Sequence, residues 1–81
     1  MVTCGKKVSL PGGYIYMVSR VRVSKPCFYC RKDIAPLSVV IVEERFRVDR
    51  RLYHPECFLK QYGYRFSLRR GPGGLEICCE D

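Results

Sequence analysis

Four residues near the middle of the chain have the types and spacing to bind a metal. Cys27 and Cys30 are separated by two residues, as are His54 and Cys57, and residues 31–53 lie between the pairs. A Cys-x-x-Cys turn can aim both sulfurs at one point about 2.3 Å away, and a His-x-x-Cys turn can meet that point from the other side. Three thiolates and one imidazole are the ligand set of a tetrahedral structural zinc site, and His54 is the only histidine of the chain. The expectation is one structural zinc ion held by Cys27, Cys30, His54 and Cys57. The competing reading makes the thiols small buried apolar groups. It leaves the paired spacing without a cause.

A catalytic metal site keeps one position open for water or substrate. Cys57 is placed to close that position. Pro26-Cys27-x-x-Cys30 and His54-x-Glu56 share pieces with the zinc deaminase signature, in which a glutamate moves protons. Here the two pieces come in the opposite order, and the chain is too short for a deaminase sheet and pocket. A nuclease of the His-Asn-His type would lack its general base, because the one histidine is already a ligand. The expectation is therefore a non-catalytic protein.

Eighty-one residues suit a single domain, 1–81, with a modest apolar core. Chains of this size often lean on a metal or a disulfide. Structural zinc contributes on the order of 10 kcal/mol of folding free energy in finger peptides. Fifteen Lys and Arg against eight Asp and Glu leave a formal charge of +7. Nucleic acid is the usual partner of such a field, with acidic proteins as competitors. No stretch approaches the roughly 18 apolar residues of a membrane span. Residues 1–10 do not read as a signal peptide. A cytoplasmic or nuclear setting is expected, with neither secretion nor a membrane partner. Cys4, Cys78 and Cys79 remain outside the ligand set. If the chain ends meet, Cys4 could bridge Cys78 or Cys79; otherwise all three are buried thiols. The absence of Asn, with one Gln and one Thr, resembles a thermophile's composition, a setting that keeps intracellular disulfides.

The elements that must position the ligands follow from periodicity and turn chemistry. Val8 to Leu10 reads as a short strand, and Pro11-Gly12-Gly13 as a turn. Tyr14 to Val23 alternates, with Ile15, Met17, Val21 and Val23 on the core face and Tyr14, Tyr16, Val18, Arg20 and Arg22 on the wetter one. Cys27 to Lys32 is expected to form a zinc knuckle, with Arg31 and Lys32 helping to hold the thiolates deprotonated. Val39-Val40-Ile41-Val42 is β-branched throughout and reads as a strand buried on both faces, with alternation continuing to Val48. Asp49-Arg50-Arg51 reads as the turn before a short strand at Leu52-Tyr53. Residues 55–62 read as a short helix with Pro55 at its first position, Cys57 in the first turn where the dipole favours a thiolate, and Gly63 at its stop. Tyr64 to Arg70 and Leu75 to Cys79 form a closing hairpin about Gly71-Pro72-Gly73-Gly74. There Glu76, Glu80 or Asp81 could meet Arg65, Arg69 or Arg70.

Knuckle, hairpin and a helix carrying the second ligand pair give a small α+β domain, mostly antiparallel strands with one short helix. This is the order of a treble-clef zinc finger. Cys27-x-x-Cys30, Ile34, the apolar run to Val42, and Tyr53-His54-x-x-Cys57-Phe58-x-Lys60 resemble the zinc finger of poly(ADP-ribose) polymerase type, over about residues 21–64. That resemblance implies one Cys3His zinc and recognition of DNA breaks and ends through backbone and exposed-base contacts. Tyr53-His54-Pro55-Glu56-Cys57-Phe58 is also similar to the end of the first zinc site of a LIM domain, which implies a protein-interaction adaptor. Residues 58–64 carry no cysteine of a second LIM site, so the polymerase-type layout is nearer.

The leading functional expectation is nucleic-acid binding, with DNA ahead of RNA. Its candidate residues are Arg45, Arg47, Arg50 and Arg51 in the hairpin between the ligand pairs, and Arg65, Arg69 and Arg70 in the closing one. Arginine forks suit phosphate oxygens. Aromatic side chains interleave with them, but Phe46, Tyr53 and Phe66 are expected inside, because so small a domain needs them in its core.

Overall fold

Val39-Val40-Ile41-Val42 forms the middle of the fold, and the computed structural model, which describes residues 2–80, shows what surrounds it. The elements in chain order are β1 (Val2–Gly5), β2 (Lys7–Leu10), β3 (Tyr14–Arg20), β4 (Lys25–Pro26), β5 (Asp33–Ile34), β6 (Val39–Arg45), β7 (Asp49–Tyr53), α1 (Pro55–Tyr62), β8 (Phe66–Gly71) and β9 (Gly74–Glu80). One sheet runs β2-β3-β6-β7, a second β1-β9-β8, and β4 pairs with β5 alone. Every pairing is antiparallel. The molecule is thus the expected small α+β structure, mostly strand with one short helix among the described residues.

Because β6 is flanked by β3 and β7, Val40, Ile41 and Val42 are all buried, as their β-branched run predicts. Helix α1 lies against β6, β7 and β8, and β9 packs on β2 and β3. Phe58 is fully buried and stacks with Tyr62 four residues on, at 5.4 Å between ring centroids, as the i,i+4 spacing requires. Tyr16, Tyr53 and Phe66 complete the aromatic core around Phe58.

Five local expectations need correction. The strand expected over Tyr14 to Val23 stops at Arg20, where its partner β6 begins: Arg20 pairs with Val39, and no strand lies opposite the next residues. Instead Val21 turns inward and its carbonyl accepts the Leu37 N–H. The expected core face holds for buried Val21 but not for two other residues. Tyr16 is 2 % exposed while Val23 is 58 % exposed. Tyr16 can go inside because its hydroxyl donates to buried Glu43 at 2.8 Å, a device hydropathy alone does not register.

The hairpin turn lies at Phe46-Arg47-Val48, not at Asp49-Arg50-Arg51. Phe46 and Arg47 adopt left-handed φ values of 54° and 60°, and the Val48 N–H closes onto the Arg45 carbonyl. The charges that read as a turn are cross-strand partners: Glu43, Glu44 and Arg45 stand opposite Arg51, Arg50 and Asp49. Phe46 is consequently 63 % exposed rather than in the core. Its edge approaches Gly13, where a β-carbon would come within 2.7 Å of the Phe46 ring. Finally, the closing hairpin expected from Tyr64 begins at Phe66, and Tyr64 precedes it and is exposed.

The helix ends where expected, for a different reason. Gly63 is right-handed, φ −62° and ψ −15°, and donates to the Leu59 carbonyl. A β-carbon there would collide with that same oxygen. At the other end of the fold, β1 pairs with β9 in a register that sets Cys4 opposite Cys78, and these two form a disulfide. Cys79 points to the other face of the strand, as alternation demands, and stays a buried free thiol. Of the acidic partners expected for the closing hairpin, Glu76 meets Arg69 at 2.9 Å; the Glu80 side chain and Asp81 lie outside the described residues.

Candidate metal centre and basic surface

The four expected ligands converge. One ligand atom each from Cys27, Cys30, His54 and Cys57 lies within 4.8 Å of all the others. His54 Nδ1 stands 3.4 Å from the Cys30 sulfur and 3.7 Å from the Cys57 sulfur. Metal–ligand bonds of about 2.0–2.3 Å in a tetrahedron give edges of roughly 3.3–3.8 Å; the two Nδ1–sulfur distances fall in that range, and the four-residue cluster could hold one metal ion.

Each ligand is held by local backbone structure. The strand pair β4–β5 brackets the first two, and the Cys27 N–H donates to the Lys32 carbonyl at 2.9 Å. Arg31, with φ 67°, closes the knuckle by donating its N–H to the Cys27 carbonyl. The Phe28 N–H donates to the Leu52 carbonyl, which ties the knuckle to β7. His54 caps α1 in extended conformation, φ −60° and ψ 147°, and Pro55 starts the helix, which sets Cys57 in its first turn.

Electrostatics differ between the sulfurs. Burial opposes ionisation of Cys27, but the backbone N–H groups of Cys30, His54 and Tyr29 outweigh it and bring the thiol down to about 6. After burial, the main influences are these fixed donors rather than the Arg31 and Lys32 charges expected. Cys57 moves the other way. Burial pushes it up to about 12, helped by the neighbouring Cys30 and Cys27 sulfurs. A divalent cation at the centre reverses that penalty, because a coordinating thiol is deprotonated outright.

The seven candidate arginines fall into separate groups. Arg50 and Arg51 lie side by side on β7; Arg50 meets Glu44 at 3.5 Å and Arg51 reaches Glu43 at 3.8 Å. Arg47 stands exposed at the hairpin tip. Arg45, held against the Tyr14 ring and hydroxyl, lines one cleft together with Arg65, so this pair joins the two hairpins. Arg69 is engaged by Glu76, and Arg70 follows it on β8. Lys25 and Phe28 were not expected at a site, and Arg31 only beside the thiolates. They line a groove with Arg50 and Arg51 beside the knuckle. The signal for it was an aromatic between two cysteine ligands with a cation three residues on, but pairing with Arg50 and Arg51 depends on the Phe28–Leu52 contact.

Among the described residues no helix is long and apolar enough to cross a membrane. Comparisons with family models, with curated proteins and with solved structures find no match to this chain.

Proposed function

We propose that this chain is a zinc-stabilised, non-catalytic nucleic-acid-binding protein of treble-clef type, acting on DNA ahead of RNA. The observation that carries it is the convergence of three sulfurs and one imidazole nitrogen within 4.8 Å. A four-donor site of this composition favours zinc over harder cations, and it leaves no open position for a reacting water. The order of knuckle, hairpin and helix matches the polymerase-type finger that the residues resemble.

Support for nucleic acid comes from the +7 charge and from the β6–β7 tip. Phe46 and Val48 are 63 % and 81 % exposed there, with Arg47 between them. An apolar wedge beside a guanidinium suits an unstacked base and its phosphate. The test is a gel shift of metal-loaded protein on single-stranded, duplex and nicked DNA, beside Arg50→Ala/Arg51→Ala and Phe46→Ser variants. With about five arginines on phosphate, log K against log salt falls with a slope near −4 to −5 on duplex. Phe46→Ser weakens binding without loss of fold, since its ring is outside the core. Absence of salt-sensitive binding to every probe, with a stoichiometric acidic protein captured instead, selects the LIM-like adaptor.

A further inference from the structure

We propose that the groove between the Cys27–Cys30 knuckle and β7 binds single-stranded nucleic acid, with an unpaired base stacked at Phe28 and the adjoining phosphates on Lys25, Arg31 and Arg50. The proposal rests on the nucleic-acid reading above and assigns a site separate from the hairpin tip.

Phe28 carries the argument. It sits between two ligand cysteines, so its backbone is held at both ends, yet its side chain is 41 % exposed. The Arg51 guanidinium lies over its ring at 4.2 Å and that of Arg31 at 5.3 Å, both within cation–π range. The ring also meets Tyr53 edge-on at 5.9 Å, which fixes it against the core. A held ring with guanidiniums over it, and 41 % of its residue exposed, is a cation–aromatic stack that reaches solvent. A free base extends such a stack, because every base has a π-face and guanidinium planes accept stacking too.

Charge complementarity points to a polyanion. Lys25, Arg31, Arg50 and Arg51 line the groove, and among the described residues no carboxylate does. Glu43 and Glu44 meet Arg51 and Arg50 at 3.8 and 3.5 Å, and Asp33 stands opposite the groove residue Pro26 in the β4–β5 pair without lining the groove. The cavity, about 480 Å³, lies within the range that holds small ligands. Its floor is apolar, with Phe28 and Leu52 in the wall. A duplex keeps its base faces stacked and turns phosphates outward, so it would leave that floor wet. A single strand can cover it.

The experiment measures fluorescence anisotropy of a labelled oligothymidylate and of a duplex of equal length, using the metal-loaded 81-residue chain. The variants are Phe28→Leu, Lys25→Gln and Arg50→Gln, each checked for metal content and circular dichroism. Phe28→Leu keeps an apolar side chain and removes the π-face. It is expected to weaken the single strand about tenfold and the duplex less than about twofold. Lys25→Gln and Arg50→Gln each reduce the salt slope for the single strand by about 0.7. Single-strand affinity unmoved by Phe28→Leu in a folded, metal-loaded protein overturns the assignment. So does displacement of the oligothymidylate by polyglutamate at equal charge, with Phe28→Leu weakening both ligands alike; the groove is then an acidic-protein site. If duplex still binds in either case, the general nucleic-acid reading stands. If neither probe binds the unaltered protein, both fall together.

Discussion

At Cys57, burial and two neighbouring sulfurs act in the same direction and hold the thiol protonated, whereas at Cys27 three backbone N–H groups hold the thiolate. On the zinc reading, ligand loss and loss of nearby charge then have different outcomes. Cys57→Ser removes a ligand, and zinc per chain, measured by elemental analysis after dialysis, falls well below one. Lys32→Ala leaves that ratio unchanged, because main-chain donors rather than this side chain favour the thiolate. A second prediction concerns Glu43, which is 2 % exposed and accepts hydroxyls of Tyr16 and Tyr62 at 2.8 and 2.6 Å. Burial first, and Glu43 next, raise the Tyr16 and Tyr62 phenols above their ordinary range, and Tyr53 rises for the same reasons. A raised folded-state value means that the stabilisation is complete below about pH 10, where the unfolded phenols begin to ionise. It declines as pH climbs above that, by about 1.4 kcal/mol per pH unit for each phenol. Alkaline titration followed at 295 nm and by circular dichroism should therefore show these three phenols ionising only as the fold is lost. Ionisation of all six tyrosines with native circular dichroism intact would contradict it.

Among the elements, α1 and the β6–β7 hairpin show two ways in which a loop residue is constrained. Gly63 is needed for space, not for a left-handed φ. Gly63→Ala should cost about 1–3 kcal/mol through overpacking against the Leu59 carbonyl, read as a lower midpoint in urea. Arg47 presents the opposite case. Its left-handed φ of 60° is exposed at a turn, so Arg47→Gly should stabilise slightly or be neutral, by about 0–1 kcal/mol, while weakening nucleic-acid binding if the tip engages it. The helix limits, the β-branched strand and the closing hairpin were all legible, because each depends on a local run with its own turn signal. The hairpin turn was not. Charges at 49–51 look alike whether they face water in a loop or an opposing Glu43, Glu44 and Arg45 across a ladder. Only the pairing distinguishes them.

Over the whole molecule, two long-range links close the chain: the Cys3His cluster and the Cys4–Cys78 disulfide, whose cysteines are 74 residues apart. Cross-linking a loop of that length removes about 4 kcal/mol of unfolded-state freedom in the chain-entropy model. Reduction with an alkylating trap should lower the thermal midpoint while leaving zinc bound, since the ligand cysteines belong to the other link. Chelation should do more, because structural zinc contributes on the order of 10 kcal/mol. Loss of zinc on mild reduction alone would show that the two links are coupled. Choosing Cys78 over Cys79 required the register of β1 on β9: adjacent residues on a strand face opposite ways.

The Cys3His cluster, helix α1 and the buried β6 strand were determined by the amino-acid order itself, because each is a short-range pattern of donor spacing, capping or branching. Which tyrosine goes inside, which arginines share a groove, and which cysteine meets Cys4 were decided by tertiary structure. These outcomes depend on what a distant strand sets opposite: a carboxylate for Tyr16, a knuckle for Arg50 and Arg51, and a matched register for Cys78.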